Sequence, residues 1–203
     1  MIKNIIFDIG NVLAEFRWKK MLTELGFEGE VFDAVANATI RSPLWSEFDR
    51  SAVPDEEIVR SCVANAPEYE KEILSVFENI HLICETYPYA KGWVIDLRSR
   101  GYRVYLLSNF GRTSFAKATP QLDFLPFVDG RVISYEVGQV KPDREIFSAL
   151  EEKYGIFPEE SIFFDDMKEN VDAAVRYGYH GVVFTSKDDA EKQIKAIEKE
   201  TQH

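Results

Sequence analysis

Four short segments, far apart in the chain, carry residue types that phosphoryl chemistry requires. They are Ile5-Ile6-Phe7-Asp8-Ile9-Gly10-Asn11-Val12, Leu106-Leu107-Ser108-Asn109, Gln139-Val140-Lys141-Pro142 and Ile162-Phe163-Phe164-Asp165-Asp166. Three are apolar runs of strand length that stop at a carboxylate or a hydroxyl, and the other sets a lysine directly before a proline. A carboxylate, a small hydroxyl, a lysine and a carboxylate pair are the parts needed to hold a phosphoryl group and a divalent cation. Singly, each has a plainer explanation: aspartates after strands often serve turns, Ser108 could cap the next helix, and Lys141 could be a solvated loop lysine. Asn170 could bond the acidic pair or cap its own helix.

These segments need a sheet that brings their ends together. Ile2 to Asp8 predicts a buried strand of the kind found in the middle of a parallel sheet. From Glu15 to Tyr87 the apolar residues recur at helical spacing, as in Ile58 with Cys62 and Ile73 with Phe77, and Pro43, Pro54 and Pro67 stand where helices can begin. This predicts an insertion of four or five short helices. After Pro88, a helix on Tyr89, Trp93, Val94 and Leu97 precedes a strand over Arg103 to Ser108. A helix from Thr113 towards Leu122, a strand around Arg131 to Ser134, and a helix opened by Pro142 and ended at Gly155 follow. Ser161 to Asp165 is the next strand, Asn170 to Tyr177 a helix, His180 to Phe184 a last strand. Ser186 with Asp189 announces a final helix through Ala190, Ile194 and Ile197, and the tail Glu198 to His203 is expected to fray. Strands and helices in alternation predict an α/β fold with a Rossmann-like, doubly wound parallel sheet. In such sheets ligands bind beyond the carboxyl ends of the strands, where Asp8, Ser108 and Asp165-Asp166 would converge if their strands are neighbours.

With 203 residues and 45% hydrophobic content the chain can bury a core as one domain with a subdomain. Its formal net charge of -11 repels nucleic acid and anionic membranes, and no basic block offsets it. A small anionic substrate remains compatible with one lysine and a helix N-terminus. The two cysteines, Cys62 and Cys84, lack metal-ligand spacing and are expected to be buried and reduced. The apolar run Ile5 to Phe7 meets a charge at Asp8 too soon for a signal peptide, and no stretch of roughly 18 apolar residues offers a membrane span. The expected setting is the cytoplasm, and the expected state a monomer or weak homodimer.

The four segments, in this order, resemble the motifs of the haloacid dehalogenase-like superfamily of phosphohydrolases, and the resemblance extends over the whole chain. It implies a core of residues 1–14 and 88–203 and a helical cap of residues 15–87. It also implies that Asp8 is the nucleophile, Ser108 the second-motif hydroxyl, Lys141 the third-motif lysine and Asp165-Asp166 the acidic fourth motif. In such a site Mg²⁺ makes attack by one anion on another feasible, and an aspartyl-phosphate forms. Magnesium favours hard oxygen ligands, which Asp8, the carbonyl of Gly10, Asp166 and Asp165 would supply. Asp166 is the expected direct ligand, with Asp165 acting through water or by orienting its neighbours. Lys141 would neutralise charge, while Ser108 and the backbone amide of Asn109 would bond phosphate oxygens.

One position departs from the pattern. Phosphatases of this family carry a second aspartate two residues after the nucleophile, as general acid and base, and here that residue is Gly10. General acid catalysis, worth about 10²–10⁴-fold, is thus missing from its usual place. Three readings follow: a phosphatase using another acid or an easily lost leaving group, such as a sugar phosphate esterified at the anomeric carbon; a metal-independent haloacid dehalogenase; or a non-catalytic phospho-ligand-binding member of the fold. The first is favoured. Phe7 to Val12 is similar to the subgroup Phe-Asp-Ile/Leu-Gly-Asn-Val, which includes a bacterial alpha-glucose-1-phosphate phosphatase, and the paired Asp165-Asp166 would be an unexplained repulsion in a metal-free dehalogenase. Phosphoryl-accepting receiver domains place their acidic pair after the first strand, the reverse of this order. Within the insertion, Arg17, Arg41, Trp18, Trp45 and Glu47 are the expected substrate contacts, unless the aromatics are cap core and the arginines a solvated face.

Overall fold

The structure, a computed structural model, describes residues 1–201. It opens with β1 (Asn4–Phe7) and, after a tight loop, β2 (Ala14–Phe16). Five helices follow: α1 (Trp18–Glu24), α2 (Gly29–Ala38), α3 (Leu44–Arg50), α4 (Asp55–Asn65) and α5 (Glu70–Glu78). The chain then returns through β3 (Cys84–Thr86), which pairs antiparallel with β2. From there helices and strands alternate: α6 (Ala90–Ser99), β4 (Arg103–Ser108), α7 (Arg112–Ala118), β5 (Gly130–Ile133) and the one-turn α8 (Ser134–Val137). The last elements are α9 (Arg144–Tyr154), β6 (Ser161–Asp165), α10 (Lys168–Arg176), β7 (His180–Val183) and α11 (Lys187–Glu200).

The main sheet has the order β5-β4-β1-β6-β7, and every pairing in it is parallel. Because side chains alternate along a strand, each central strand feeds both faces. Ile5, Phe7, Val104, Leu106, Ile162 and Phe164 join the larger cluster, with Trp93 of α6 and Ile194 of α11. Ile6, Tyr105, Leu107 and Phe163 point the other way, onto Ile146, Phe147 and Leu150 of α9 and Ala173 and Ala174 of α10. A strand buried on both faces must be apolar at nearly every position, which is why β1, β4 and β6 are continuous apolar runs. This is the doubly wound α/β sheet expected from the sequence.

The helical insertion buries the predicted Ile58, Cys62 and Ile73 together with Met21, Leu22 and Val76. Pro43 and Pro54 stand directly before α3 and α4, and Pro67 starts a short 3-10 turn before α5. Gly155 ends α9 at φ 63°, a left-handed conformation that a residue without Cβ adopts at little cost. Some elements differ from expectation. The β2-β3 ribbon was not anticipated, since three-residue strands are too short to show an alternation. α9 starts at Arg144 rather than Pro142, and the helix expected from Thr113 towards Leu122 forms as α7 but ends at Ala118, its remainder a 3-10 turn over Thr119–Gln121. The tail expected to fray is helical through Glu200, and residues 202 and 203 lie outside the described residues. Among the described residues no helix is long and apolar enough to cross a membrane.

Trp93 sits where these layers meet. Its ring centroid is 4.6 Å from that of Phe7, and its indole N–H donates to Glu191 Oε1 at 2.6 Å. It is 1% exposed, so truncation leaves a cavity under β1 and removes one of the donors to Glu191, which keeps its ion pair with Arg100. Trp93→Ala is expected to lower the unfolding free energy by about 3–5 kcal/mol, read as a reduced denaturant midpoint.

Candidate active site

β1, β4 and β6 are adjacent and parallel, so their carboxyl ends open onto one side of the sheet, at the point where the strand order reverses around β1. Asp8 follows β1 directly, Ser108 ends β4 and Asp165 ends β6. Each is carried to the rim by apolar residues that leave it no other place.

Lys141 ties the site together. It is 4% exposed rather than solvated. Its Nζ donates to Asp165 Oδ2 at 2.6 Å and lies 3.0 Å from Asp8 Oδ1. Burial alone would lower its pKa, and Asp165 and Asp8 more than offset that, raising it above the ordinary lysine value. Its backbone is clamped by one side chain: Lys141 N–H donates to Asn109 Oδ1 at 2.8 Å, and Asn109 Nδ2 donates to the Lys141 carbonyl at 3.0 Å. Ser108 lies 2% exposed on the cavity wall, and it does not cap α7, whose N-cap position is Gly111.

The acidic pair divides its work. Asp165 is fully buried and accepts from Lys141, from Met167 N–H at 2.8 Å, and from Asn170 Nδ2 at 3.0 and 3.1 Å. Asn170 therefore braces the carboxylate, and the residue preceding α10 is Met167. Asp166 instead faces the cavity, where its Oδ2 accepts from Asn11 Nδ2 at 2.8 Å. Asn11 adopts φ 53°, which an asparagine tolerates better than most residues. Its Oδ1 accepts from Phe16 N–H at 3.0 Å, so one side chain shapes the loop after β1 and holds Asp166. The sequence placed Asn11 in the first segment without giving it this work.

Asp8, Asp165 and Asp166 each offer an oxygen within 4.8 Å of the others. Burial pushes the Asp8 carboxyl up to about 6, with Lys141 opposing and Asp165 adding to the rise, and burial likewise raises Asp166 against the pull of Asn11. Among the described residues the one close partner of the buried Asp8 Oδ1 is the Lys141 ammonium at 3.0 Å, an ion pair that leaves this oxygen outside the hydrogen-bond network. Three crowded carboxylates, one with an orphaned buried oxygen, are a donor set that suits a hard divalent cation such as Mg²⁺. Gly10 adjoins them on the cavity wall, and a Cβ built there meets only ordinary contacts, at 3.8 Å from Asp8 Oδ2 and 3.9 Å from Phe16 Cβ. Space therefore does not dictate the glycine.

The cavity over Asp8 has a volume of about 200 Å³. Phe16, Trp45, Ile83, Cys84, Phe110 and Met167 make much of its side wall apolar, with Asn11, Asn109 and Asn170 among the polar residues of the lining. Of the expected substrate contacts, only Trp45 is among the lining residues. Arg17 is buried elsewhere, donating to the Leu82 carbonyl at 2.9 Å and pairing with Glu24. Glu47 points along α3 to Arg50, and Arg41 pairs with Asp33 beside Trp18. Burial raises Cys84 to about 11, with Arg17 opposing, so its thiol is no nucleophile at neutral pH.

One further lining residue went unnoticed in the sequence: Asp49, on α3. It reaches the site because the insertion leans directly on the loop after β4. Gly111 N–H donates to Asp49 Oδ1 at 3.1 Å, Ser134 Oγ donates to the Asp49 carbonyl at 2.6 Å, and Arg112 N–H donates to Ser51 Oγ at 3.1 Å. A Cβ at Gly111 would stand 2.7 Å from the Phe48 carbonyl, so only glycine admits this approach. A lone aspartate in Glu47-Phe48-Asp49-Arg50 carries no signature, and nothing local marks it as part of the site.

Removing the lysine tests the electrostatic account. Lys141→Met is expected to cost about 3–5 kcal/mol at pH 7 in the presence of a chelator, the usual penalty for stranding buried partners. The loss shrinks towards pH 5, because carboxylates without the ammonium take up protons more readily. Urea unfolding at the two pH values reads both effects.

Residues 2–178 match the family haloacid dehalogenase-like hydrolase. The chain is similar to drimenol cyclase drtB of Aspergillus calidoustus, 23% identical over 97% of the chain but 37% of that protein, so it spans about a third of this relative's length. It is 25% identical to sesquiterpene phosphatase astK of Aspergillus oryzae, with 90% of each covered. It is 24% identical to D-ribitol-5-phosphate phosphatase of Bacteroides thetaiotaomicron, over 88% of the chain and 90% of that protein. Its fold is like that of a HAD family enzyme from Bacteroides thetaiotaomicron solved in complex with magnesium and inorganic phosphate, at TM-score 0.70 and 21% identity, covering 92% and 96% of the two chains. With a match that spans both the parallel sheet and the helical insertion, the chain belongs to the haloacid dehalogenase-like hydrolases and is a hydrolase.

Proposed function

We propose that the protein is a Mg²⁺-dependent phosphomonoesterase that cleaves a small phosphorylated metabolite through a phospho-Asp8 intermediate, with the helical insertion as its cap. The observation that carries this reading is the buried Lys141 set between Asp8 and Asp165, with Asp166 and an orphaned Asp8 oxygen beside it. Asp8, Asp166, the Gly10 carbonyl and, directly or through its neighbours, Asp165 would hold the cation. When bound, it supplies charge neutralisation between the entering carboxylate and the phosphoryl oxygens.

The chain's own residues do the rest. Asp8 is fixed at the strand end, its N–H donating to the Phe164 carbonyl at 2.9 Å, and its carboxylate attacks phosphorus in line as the ester oxygen departs. Lys141 stays charged next to both groups. Ser108 and the Asn109 amide hold phosphoryl oxygens, and the apolar walls keep bulk water from the developing charge. Relatives named as phosphatases of a sesquiterpene and of ribitol 5-phosphate support the phosphatase reading. A dehalogenase needs no cation, and the cost of gathering three carboxylates then has no return.

The walls bear on the substrate. Phe16, Trp45, Ile83, Cys84, Phe110 and Met167 offer few partners for a row of hydroxyls. An organic phosphate with an apolar face therefore suits the site better than the sugar phosphate expected from the motif alone, whose hydroxyls would lose water without replacement. Two buried free thiols fit a reducing compartment such as the cytoplasm.

Asp8→Asn is expected to abolish phosphate release while leaving the circular dichroism spectrum and melting cooperativity unchanged, because the side chain keeps its volume and loses its nucleophile. Turnover retained above background would overturn the covalent route. In the wild type, EDTA is expected to stop phosphate release from p-nitrophenyl phosphate, excess Mg²⁺ to restore it, and Mg²⁺ to raise the melting temperature in proportion to ligand binding.

A further inference from the structure

We propose that Asp49 supplies the proton that Gly10 cannot: reaching the site from α3 of the insertion, it is the general acid of the first step and the general base of the second. This rests on the phosphatase reading above. The reaction as drawn so far lacks one part. Departure of an alkoxide or phenoxide needs a proton at the ester oxygen, and hydrolysis of phospho-Asp8 needs a group to take a proton from water. Asp8 is committed as nucleophile, Asp165 accepts from Lys141, Met167 and Asn170, and Asp166 is held by Asn11 beside the cation site. Lys141 is bound between two carboxylates. Asp49 is the remaining carboxyl on the cavity wall.

Its setting suits the task. Gly111 N–H engages Oδ1 at 3.1 Å and fixes the side chain to the loop after β4. Among the described residues Oδ2 takes no hydrogen bond, which leaves it free for a ligand in the cavity that Asp49 lines. Burial pushes the carboxyl up to about 7, opposed by the Gly111 N–H, raised further by Asp8 and lowered by Lys141. Such a group exists in both protonation states near neutrality and can serve both steps. The insertion enters the chemistry this way because Gly111 allows the Phe48 carbonyl to come within contact of the core.

The two steps balance. Asp8 oxygen bonds to phosphorus, the phosphorus to ester-oxygen bond breaks, and the Asp49 proton passes to that oxygen, releasing the alcohol and leaving Asp49 a carboxylate. Water then attacks phosphorus while giving a proton to Asp49, the bond to Asp8 breaks, and phosphate leaves with Asp49 protonated again.

The test is a leaving-group series with Asp49→Asn, in which the amide keeps the acceptor for Gly111 N–H but carries no transferable proton. The substrates are p-nitrophenyl phosphate and phenyl phosphate, alike in shape. Phenol ionises with the acidity of a tyrosine side chain, roughly pH 10, whereas nitrophenolate departs without help. With p-nitrophenyl phosphate the variant is expected to give a wild-type burst of one equivalent, which also shows that it is folded. A slow steady state and a phosphorylated chain visible by mass spectrometry should follow. With phenyl phosphate the burst rate should fall about 10²–10⁴-fold. Equal losses on both substrates, or wild-type behaviour on both, would overturn the assignment and make Asp49 a docking residue. Failure of the wild type to release phosphate from either would instead overturn the phosphatase reading itself.

Discussion

Everything in the site depends on one buried ammonium placed between two carboxylates. Asp8 and Asp165 end neighbouring strands and must face each other, and without Lys141 their repulsion would be relieved by protonation or by distortion of the strand ends. With it, Asp165 stays in place as a scaffold and Asp8 keeps one oxygen without a hydrogen bond.

The structure spends considerable machinery on holding this arrangement. Asn109 clamps the lysine backbone, Asn170 and the Met167 amide hold Asp165, and Asn11 holds Asp166. Each works by a hydrogen bond from a group that is itself fixed in a loop or helix start. Polar satisfaction of this kind leaves little freedom for the side chains, and a site built so needs small adjustments rather than large ones to receive a substrate.

The insertion has a different relation to the site. It is packed into the same large hydrophobic cluster as one face of the sheet, and touches the catalytic loops through α3. There Phe48 and Trp45 pack at a tilt with ring centroids 5.4 Å apart, so α3 presents an aromatic wall, and Asp49 reaches the cavity beside it. Under the proposals above, specificity and proton transfer both come from this seven-residue helix, and the nucleophile and charge balance from the sheet.

The alternation of apolar runs with helical spacing gave the parallel sheet and the strand-end residues in advance, because a doubly buried strand admits few polar residues and those at its end stand out; which strands are neighbours came from the fold. Asp8, Ser108 and the acidic pair were legible for that reason, Lys141 by its place in the order of the four segments, and two helix starts by Pro43 and Pro54. Arg17 and Glu47 show where such reading stops: both are charged residues in the expected part of the chain, but helix phase and local ion pairs turn them elsewhere. Asp49 and the second role of Asn11 follow from contacts across 62 and 155 positions of sequence, and no local pattern encodes a distance between a helix and a loop that meet only when the chain is folded. Sequence alone thus determined which groups the strands would deliver; the tertiary structure decided which of the remaining polar groups would meet them, since that depends on close approach at Gly111 and not on periodicity.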